Sequence, residues 1–221
     1  MQFRIFVKGT PLSVYLKGLP AFLRDYREIK NQSRKGKGEF PLAQFYPCLE
    51  DAKDESGVAS GHYFHQDLLV AGLIFKNNPA KHVDIGSRID GFVAHVASFR
   101  EIEVLDIRQL SNTIPNISFR RFNLIDKNFN LTDYCDSVSC LHALEHFGLG
   151  RYGDEINYAG HLIGWENIYK MLKKDGKLYF SVPIGPQRIE FNAHRVFSVG
   201  YLLDLIGSRY KIDSFSYVND Q

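Results

Sequence analysis

The sequence predicts an α/β fold: a doubly wound, mostly parallel sheet of about six strands with helices on both faces. That domain spans residues 61–221, behind an N-terminal cap over residues 1–60. Three observations predict it. From residue 60 onward, short apolar runs alternate with segments of helical spacing, the pattern of parallel strands joined by crossover helices. The stretch His82–Phe92 (HVDIGSRIDGF) reads as a strand, a tight glycine turn and a helix start. Such a turn lets a ligand approach the backbone and offers it unpaired N–H groups. A second acid, Asp106, ends the next strand 22 residues after Asp84, the interval of a strand–helix–strand unit.

Composition sets the bounds. The chain has 221 residues, 44% of them hydrophobic and 24% charged, ordinary for one globular domain with an appendage. A formal charge of +2 gives no case for bulk nucleic-acid binding. No apolar run approaches the roughly 18 residues of a membrane span. Met1–Val7 is too short and interrupted for a secretory signal. Cys48, Cys135 and Cys140 are odd in number and lack metal-ligand spacing, which reads as free thiols in a reducing cytoplasm.

Taken in order, Phe3–Val7 fits a short strand and Ala21–Lys30 a helix carrying Phe22, Leu23, Tyr26 and Ile29. The basic, glycine-rich run Asn31–Gly38 reads as a loop. Phe40–Pro47 reads as extended and Glu50–Gly57 as an exposed turn. Ser60 is the expected N-cap of a helix to about Lys76, with Phe64, Leu68, Ala71 and Phe75 on one side, stopped at Asn77-Asn-Pro79. The opening strand Lys81–Ile85 follows, then a helix Ile89–Phe99. Further strands are expected at Glu103–Asp106, Ile117–Leu124, Ser137–Leu141, Lys177–Val182 and Tyr210–Val218. Further helices are expected at Gly160–Leu172, ended by Lys174-Asp-Gly176, and Val196–Ile206.

Several stretches in this order resemble the class I SAM-dependent methyltransferases, which have a Rossmann-like fold. They are the acids Asp84 and Asp106, then Asp136–His146 (DSVSCLHALEH), then Leu172–Pro183 (LKKDGKLYFSVP). The resemblance covers about residues 60–221. More narrowly, DIGSRIDGF, LEHFGLGRYGD and FNAHRVF look like a bacterial methyltransferase-like family known as a domain of unknown function, and residues 41–57 look like part of it. The resemblance implies S-adenosylmethionine as cofactor. Asp84, Gly86 and the adjoining Ser87 would hold its methionine end, and Asp106 with Ile107 its ribose. Asn123 and Leu124 would lie near the adenine, with the Asn123 amide oxygen accepting from it. Leu141 and His142 would border the cofactor. Two departures stand out. Arg88 replaces the family's usual glycine two places after Gly86, so its side chain must swing away or fill the cofactor space. The chain also ends soon after the sixth expected strand, where the superfamily adds a seventh.

Methyl transfer to a hydroxyl needs a base, for which a histidine near neutral pKa is suited. His146 is the first choice, with His142 and Glu145 beside it, because this segment crosses the carboxyl edge of the sheet. Arg151, Tyr152 and Asp154 in the following glycine-rich loop, with His194 and Arg195, are the expected substrate contacts; Arg188 and Arg195 suit an anionic or sugar-like small molecule. His142-Ala-Leu-Glu145-His146 also spells a zinc-protease string. That motif needs a continuous helix, and the glycines after Phe147 forbid one. A divalent metal held by His142, Glu145, His146 and His194 is a weaker variant and is not predicted. The rival to an enzyme is a methyltransferase-like scaffold that has lost its cofactor.

Overall fold

The computed structural model describes residues 12–36, 40–207 and 209–218. The chain divides into two compact units, Met1–Val58 and Ala59–Gln221. In the first, α1 (Leu12–Lys35) carries Phe22 and Tyr26 at helical spacing. Both set their ring edges against Phe45, at 5.6 and 4.6 Å. The basic run expected to be a loop stays helical as far as Lys35. Gln32, Arg34 and Lys35 are good helix formers, and glycine enters only at Gly36. Residues 41–49 carry no regular structure apart from one bend, followed by a single short turn at Asp51–Lys53. Phe3–Val7 lies outside the described residues.

The second unit is a Rossmann-like α/β domain. Its strands are β1 (His82–Ile85), β2 (Ile102–Asp106), β3 (Ile117–Arg121), β4 (Cys135–Leu141) and β5 (Leu172–Ser181). They form one parallel sheet in the order β3-β2-β1-β4-β5. Every residue of β1 is buried, as a strand covered on both faces requires. On one face α2 (His62–Asn77) and α3 (Ala94–Ala97) pack Ala71, Ile74 and Val96, together with Val93 just before α3, onto Ile102 and Val104. On the other, α4 (Gly160–Met171) packs Trp165, Ile168 and Met171 onto Val83, Ile85 and Val138. The order reverses between β1 and β4. In open sheets of this kind the crevice at the carboxyl ends of such strands is where ligands bind.

Four local expectations are corrected. First, α2 starts at His62 after Gly61, not at a Ser60 cap, and buries Asp67, Val70, Ala71 and Ile74. Phe64, Leu68 and Phe75 are exposed. Second, the helix after the glycine turn is interrupted. Ile89–Val93 is a wide turn in which Gly91 has φ −123° and ψ −117°, and α3 has only four residues. Third, β5 begins as soon as α4 ends. Leu172 pairs with Cys135, and a bulge shifts the register before Lys177. Fourth, the sixth parallel strand is absent among the described residues, since 210–218 carry no regular structure. Apolar residues there fall at Ile212, Phe215, Tyr217 and Val218, out of phase for one strand face. Lys177 nevertheless ion-pairs with Asp213. An antiparallel hairpin of β6 (Arg188–Glu190) and β7 (His194–Val196) turns through Asn192 at φ 65° and leads to α5 (Val199–Ile206). Ser198 caps α5, accepting from Tyr201 N at 3.2 Å. Among the described residues no helix is long and apolar enough to cross a membrane.

Candidate functional site

The carboxyl ends of β1, β2 and β4 bring most of the expected residues to one cleft. Gly86 leaves β1 with φ 73°, and a Cβ there would lie 3.1 Å from that of Ala143. Only glycine fits this turn without strain, and the backbone stays bare toward a ligand. Arg88 points away, forking onto Asp90 at 2.9 and 2.6 Å with its side chain 74% exposed. The space over Gly86 is therefore not filled by Arg88.

Asp84 takes a different position from the one expected of it. Its carboxylate is fully buried and accepts from Ser87 N (3.0 Å), Ser87 Oγ (2.8 Å) and Ser139 Oγ (2.6 Å). Ser139 and Ser137 in turn engage the two ring nitrogens of buried His82, at 3.1 and 2.7 Å. Burial pushes the Asp84 carboxyl up to about 6. Asp84 thus braces the turn from inside and does not reach the cleft, whereas Ser87 both braces the turn and lines the cleft.

Asp106 sits at the end of the neighbouring strand, almost buried, and its oxygens are taken by Arg108. The Arg108 Nε lies 3.0 and 3.1 Å from them and Nη2 2.5 Å from Oδ2. The same Nη2 donates to Gly86 O at 3.2 Å, and the guanidinium stacks 4.7 Å from the Tyr152 ring. Beneath it is a cavity of about 70 Å³ lined by Gly86, Asp106, Ile107, Asn123, Leu124 and Tyr152, among others. Asn123 turns its Oδ1 to Ile125 N at 3.1 Å, so the amide oxygen expected to meet an adenine already has a partner. Leu124 and Leu141 are buried.

After β4, the backbone at His142 enters the left-handed region (φ 50°), rare for a side chain other than Asn, Asp or His and common at functional sites. A short turn at Leu144–His146 follows, not a helix. His142 Nδ1 is 3.1 Å from Glu145 Oε1. Glu145 is 1% exposed and its Oε2 is buried with no partner. His146 Nε2 is 3.8 Å from the same Oε1, while its Nδ1 lies 2.7 Å from Ala193 O. Nδ1–H therefore donates to that carbonyl, and Nε2 is turned toward the acid at a distance too long for a hydrogen bond. Burial holds this imidazole below its usual range. Of the two histidines, His142 is the one oriented by a carboxylate, with Nε2 left free, the arrangement of a general base.

The glycine-rich loop after His146 is braced internally. Asp154 accepts from Gly148 N (2.7 Å) and Tyr152 N (3.3 Å). Arg195 is 4% exposed and donates to Phe147 O (2.6 Å) and Tyr158 O (3.1 Å). Both were expected to touch substrate; instead they shape the loop. Arg188 is likewise engaged, by Glu190. His194 Nε2 lies 3.4 Å from Glu190, with its ring 6.4 Å from that of His146. Tyr152 stands edge-on to His146 at 5.4 Å, and exposed Arg151 donates to Ala193 O at 3.1 Å. Among the described residues no three acids, histidines or cysteines converge as metal ligands would.

Residues of α2 were missed. The His62 and Tyr63 rings lie 4.9 and 5.5 Å from that of His142, and Asp67 lines the same cleft. The spacing of Asp67 with Val70, Ala71 and Ile74 signals a buried face; three prominent aromatic and leucine positions on the other side obscured it. Arg108, also missed, carries no signal in sequence beyond its place two residues after Asp106.

Fold and site together define a Rossmann-like α/β domain with a cleft at the switch point of its sheet. The family described as "Caenorhabditis protein of unknown function, DUF268" matches residues 90–220, more than half of the chain. The chain belongs to that family, whose description names Caenorhabditis where a bacterial family was expected. No curated protein matches the chain. Solved structures do. One is an O-methyltransferase family protein from Burkholderia thailandensis (12% identity, TM-score 0.47, 64% of this chain and 48% of that one). Another is the 1,6-didemethyltoxoflavin-N1-methyltransferase of the same organism, solved with 1,6-didemethyltoxoflavin and S-adenosylhomocysteine (12%, 0.46, 91% and 80%). A third is the [4+2]-cyclase SpnF (13%, 0.46, 68% and 59%). The chain thus spans about half the length of the first of these. Likeness at this level says nothing about chemistry, which is read from this chain's own residues.

Proposed function

We propose that the chain is a SAM-dependent methyltransferase of small molecules, with His142 as the base that takes a hydroxyl proton. The observation that carries this reading is the His142–Glu145 pair, 3.1 Å apart, on the same cleft as the bare turn at Gly86. The residues present suit the cofactor on two counts. Gly86 leaves a cradle that no side chain can fill. Asp106 already accepts from a fork of two N–H donors, the donor pattern of a ribose diol.

When bound, S-adenosylmethionine supplies a methyl group on a sulfonium, and the protein positions and deprotonates. Gly86 and Asp106 bind. Ile107, Leu124 and Leu141 exclude water around the nucleoside. His142 donates Nδ1–H to Glu145 Oε1, which keeps the Nε2 lone pair for the acceptor's proton. Glu145 stabilises the imidazolium that results. Arg151 and Tyr152, half-buried or exposed at the rim, suit an anionic or sugar-like acceptor, such as a glycan precursor.

Calorimetry with S-adenosylhomocysteine tests the binding half; no heat at millimolar ligand sinks it. The scaffold reading then stands, supported by Arg108 sitting on Asp106. For the chemical half, labelled methyl transfer into a low-molecular-weight extract is measured. His142→Ala lowers that rate by about 10²-fold or more and leaves S-adenosylhomocysteine affinity within about twofold. Full turnover in His142→Ala refutes the base assignment.

A further inference from the structure

Asp67 is a buried acid without a cation. It sits on the core-facing side of α2 and is 8% exposed. Its one hydrogen bond comes from the neighbouring Gln66 Nε2, at a long 3.2 Å to Oδ1. Gln66 is itself held from the other side by Ser181 Oγ at 2.5 Å. Among the described residues no hydrogen bond reaches Oδ2. It lies against the backbone of the wide turn Ile89–Val93 that follows the Gly86 turn, 3.3 Å from where a Cβ would stand on Gly91. The charged-capable groups that face Asp67 are His95, His142 and His62, and burial outweighs them, holding the carboxyl above its usual range. A carboxylate so placed is costly unless something positive joins it.

Across the same cleft, Glu145 presents a fully buried carboxylate oxygen that has no hydrogen-bond partner among the described residues. Two buried acids on the walls of one cleft call for a cation. A metal is poorly served, because among the described residues no three ligand side chains converge. A primary ammonium suits them better: its three N–H donors reach dispersed acceptors, here a carboxylate and turn carbonyls. Asp84, the acid first expected to hold such a group, is sealed behind Ser87 and Ser139.

We propose that Asp67 anchors the primary ammonium of the ligand's amino-acid end, a role no other acid at the turn is free to fill. This rests on the reading of the site as a SAM site. The test compares S-adenosylhomocysteine with 5′-methylthioadenosine, which keeps the nucleoside and thioether and lacks the amino acid. Affinities are measured calorimetrically for the full chain and for Asp67→Asn. The variant is expected to bind S-adenosylhomocysteine about tenfold to a hundredfold more weakly and methylthioadenosine within about twofold of wild type. Asp67→Glu, which keeps the charge, is expected to recover part of the loss. Equal loss for both ligands, or none, overturns the assignment. Wild type that binds neither nucleoside overturns the cofactor reading instead. The ammonium site is then read with L-methionine against 4-(methylthio)butanoate, its deaminated analogue. A preference for methionine that Asp67→Asn abolishes upholds the site, and equal binding refutes it.

Discussion

Two strand-terminal acids, Asp84 on β1 and Asp106 on β2, look interchangeable in the sequence and have opposite circumstances in the fold. Asp84 is fully buried, and two serines supply its three hydrogen bonds. Asp106 is nearly buried but opens toward the cleft, and its partner is an arginine whose side chain is 42% exposed. One acid is satisfied by short, rigid side chains of the strand and turn themselves. The other keeps one bond from the backbone N–H of Arg108, at 2.8 Å, and is otherwise satisfied by a long side chain that can leave. An acid at the carboxyl end of a strand is therefore a candidate ligand contact only where its native partner is exchangeable.

The largest expected effect separates the two acids by stability. Asp84→Ala strands the Ser87 and Ser139 donors in the core and is expected to lower the unfolding free energy by roughly 3 kcal/mol. Asp106→Ala is expected to stay within about 1 kcal/mol, because it breaks a partly exposed ion pair. Urea denaturation measures both. An Asp84→Ala protein as stable as wild type breaks the contrast. The next effect reads the Asp84 proton. Its carboxyl titrates near 6 in the fold and near 3.9 when unfolded. The folded state thus holds a proton that the unfolded chain has released. That stabilisation is fully present below the unfolded value and is lost as pH rises through about 6. Going from pH 7.5 to 5, wild type is expected to gain about 1 kcal/mol relative to Asp84→Asn. An unchanged difference between the two proteins across that range refutes the buried titration.

What the sequence made legible follows the same division. The core strands stand out because each is a short apolar run carried by residues such as Val83, Ile85, Val104 and Val138, all fully buried. Helix α4 shows equally in Trp165, Ile168 and Met171. The hairpin β6–β7 does not, since three-residue strands are shorter than any periodicity. Within the site, the segment His142–His146 is legible as a cluster. Which histidine is poised is not, because the choice depends on a left-handed backbone at His142 and on Ala193 O, 47 residues downstream of His146. The burial of Arg195 escaped for the same reason: its carbonyl partners at Phe147 and Tyr158 are contributed by a loop whose path only the fold sets.

The smallest effect sharpens the contrast at Asp106. Arg108 Nε and Nη2 present two donors to its carboxylate, and Nη2 reaches back to Gly86 O. The guanidinium thus spans both groups that a ribose-bearing ligand would contact. The cavity below it, about 70 Å³, is far short of the roughly 300–1,000 Å³ usual for ligand pockets. A ribose seated on Asp106 must displace this side chain, and the pair it breaks, whose arginine is 42% exposed, is worth about 1 kcal/mol. Arg108→Ala removes the competitor. Its affinity for S-adenosylhomocysteine is expected to rise about fivefold by calorimetry, with the gap to wild type narrowing as salt screens the pair. Weaker binding in Arg108→Ala would mean that the arginine closes over the ligand and does not stand in its place. Both strand-end acids would then keep their native partners in the bound state, and exchangeability would no longer distinguish them.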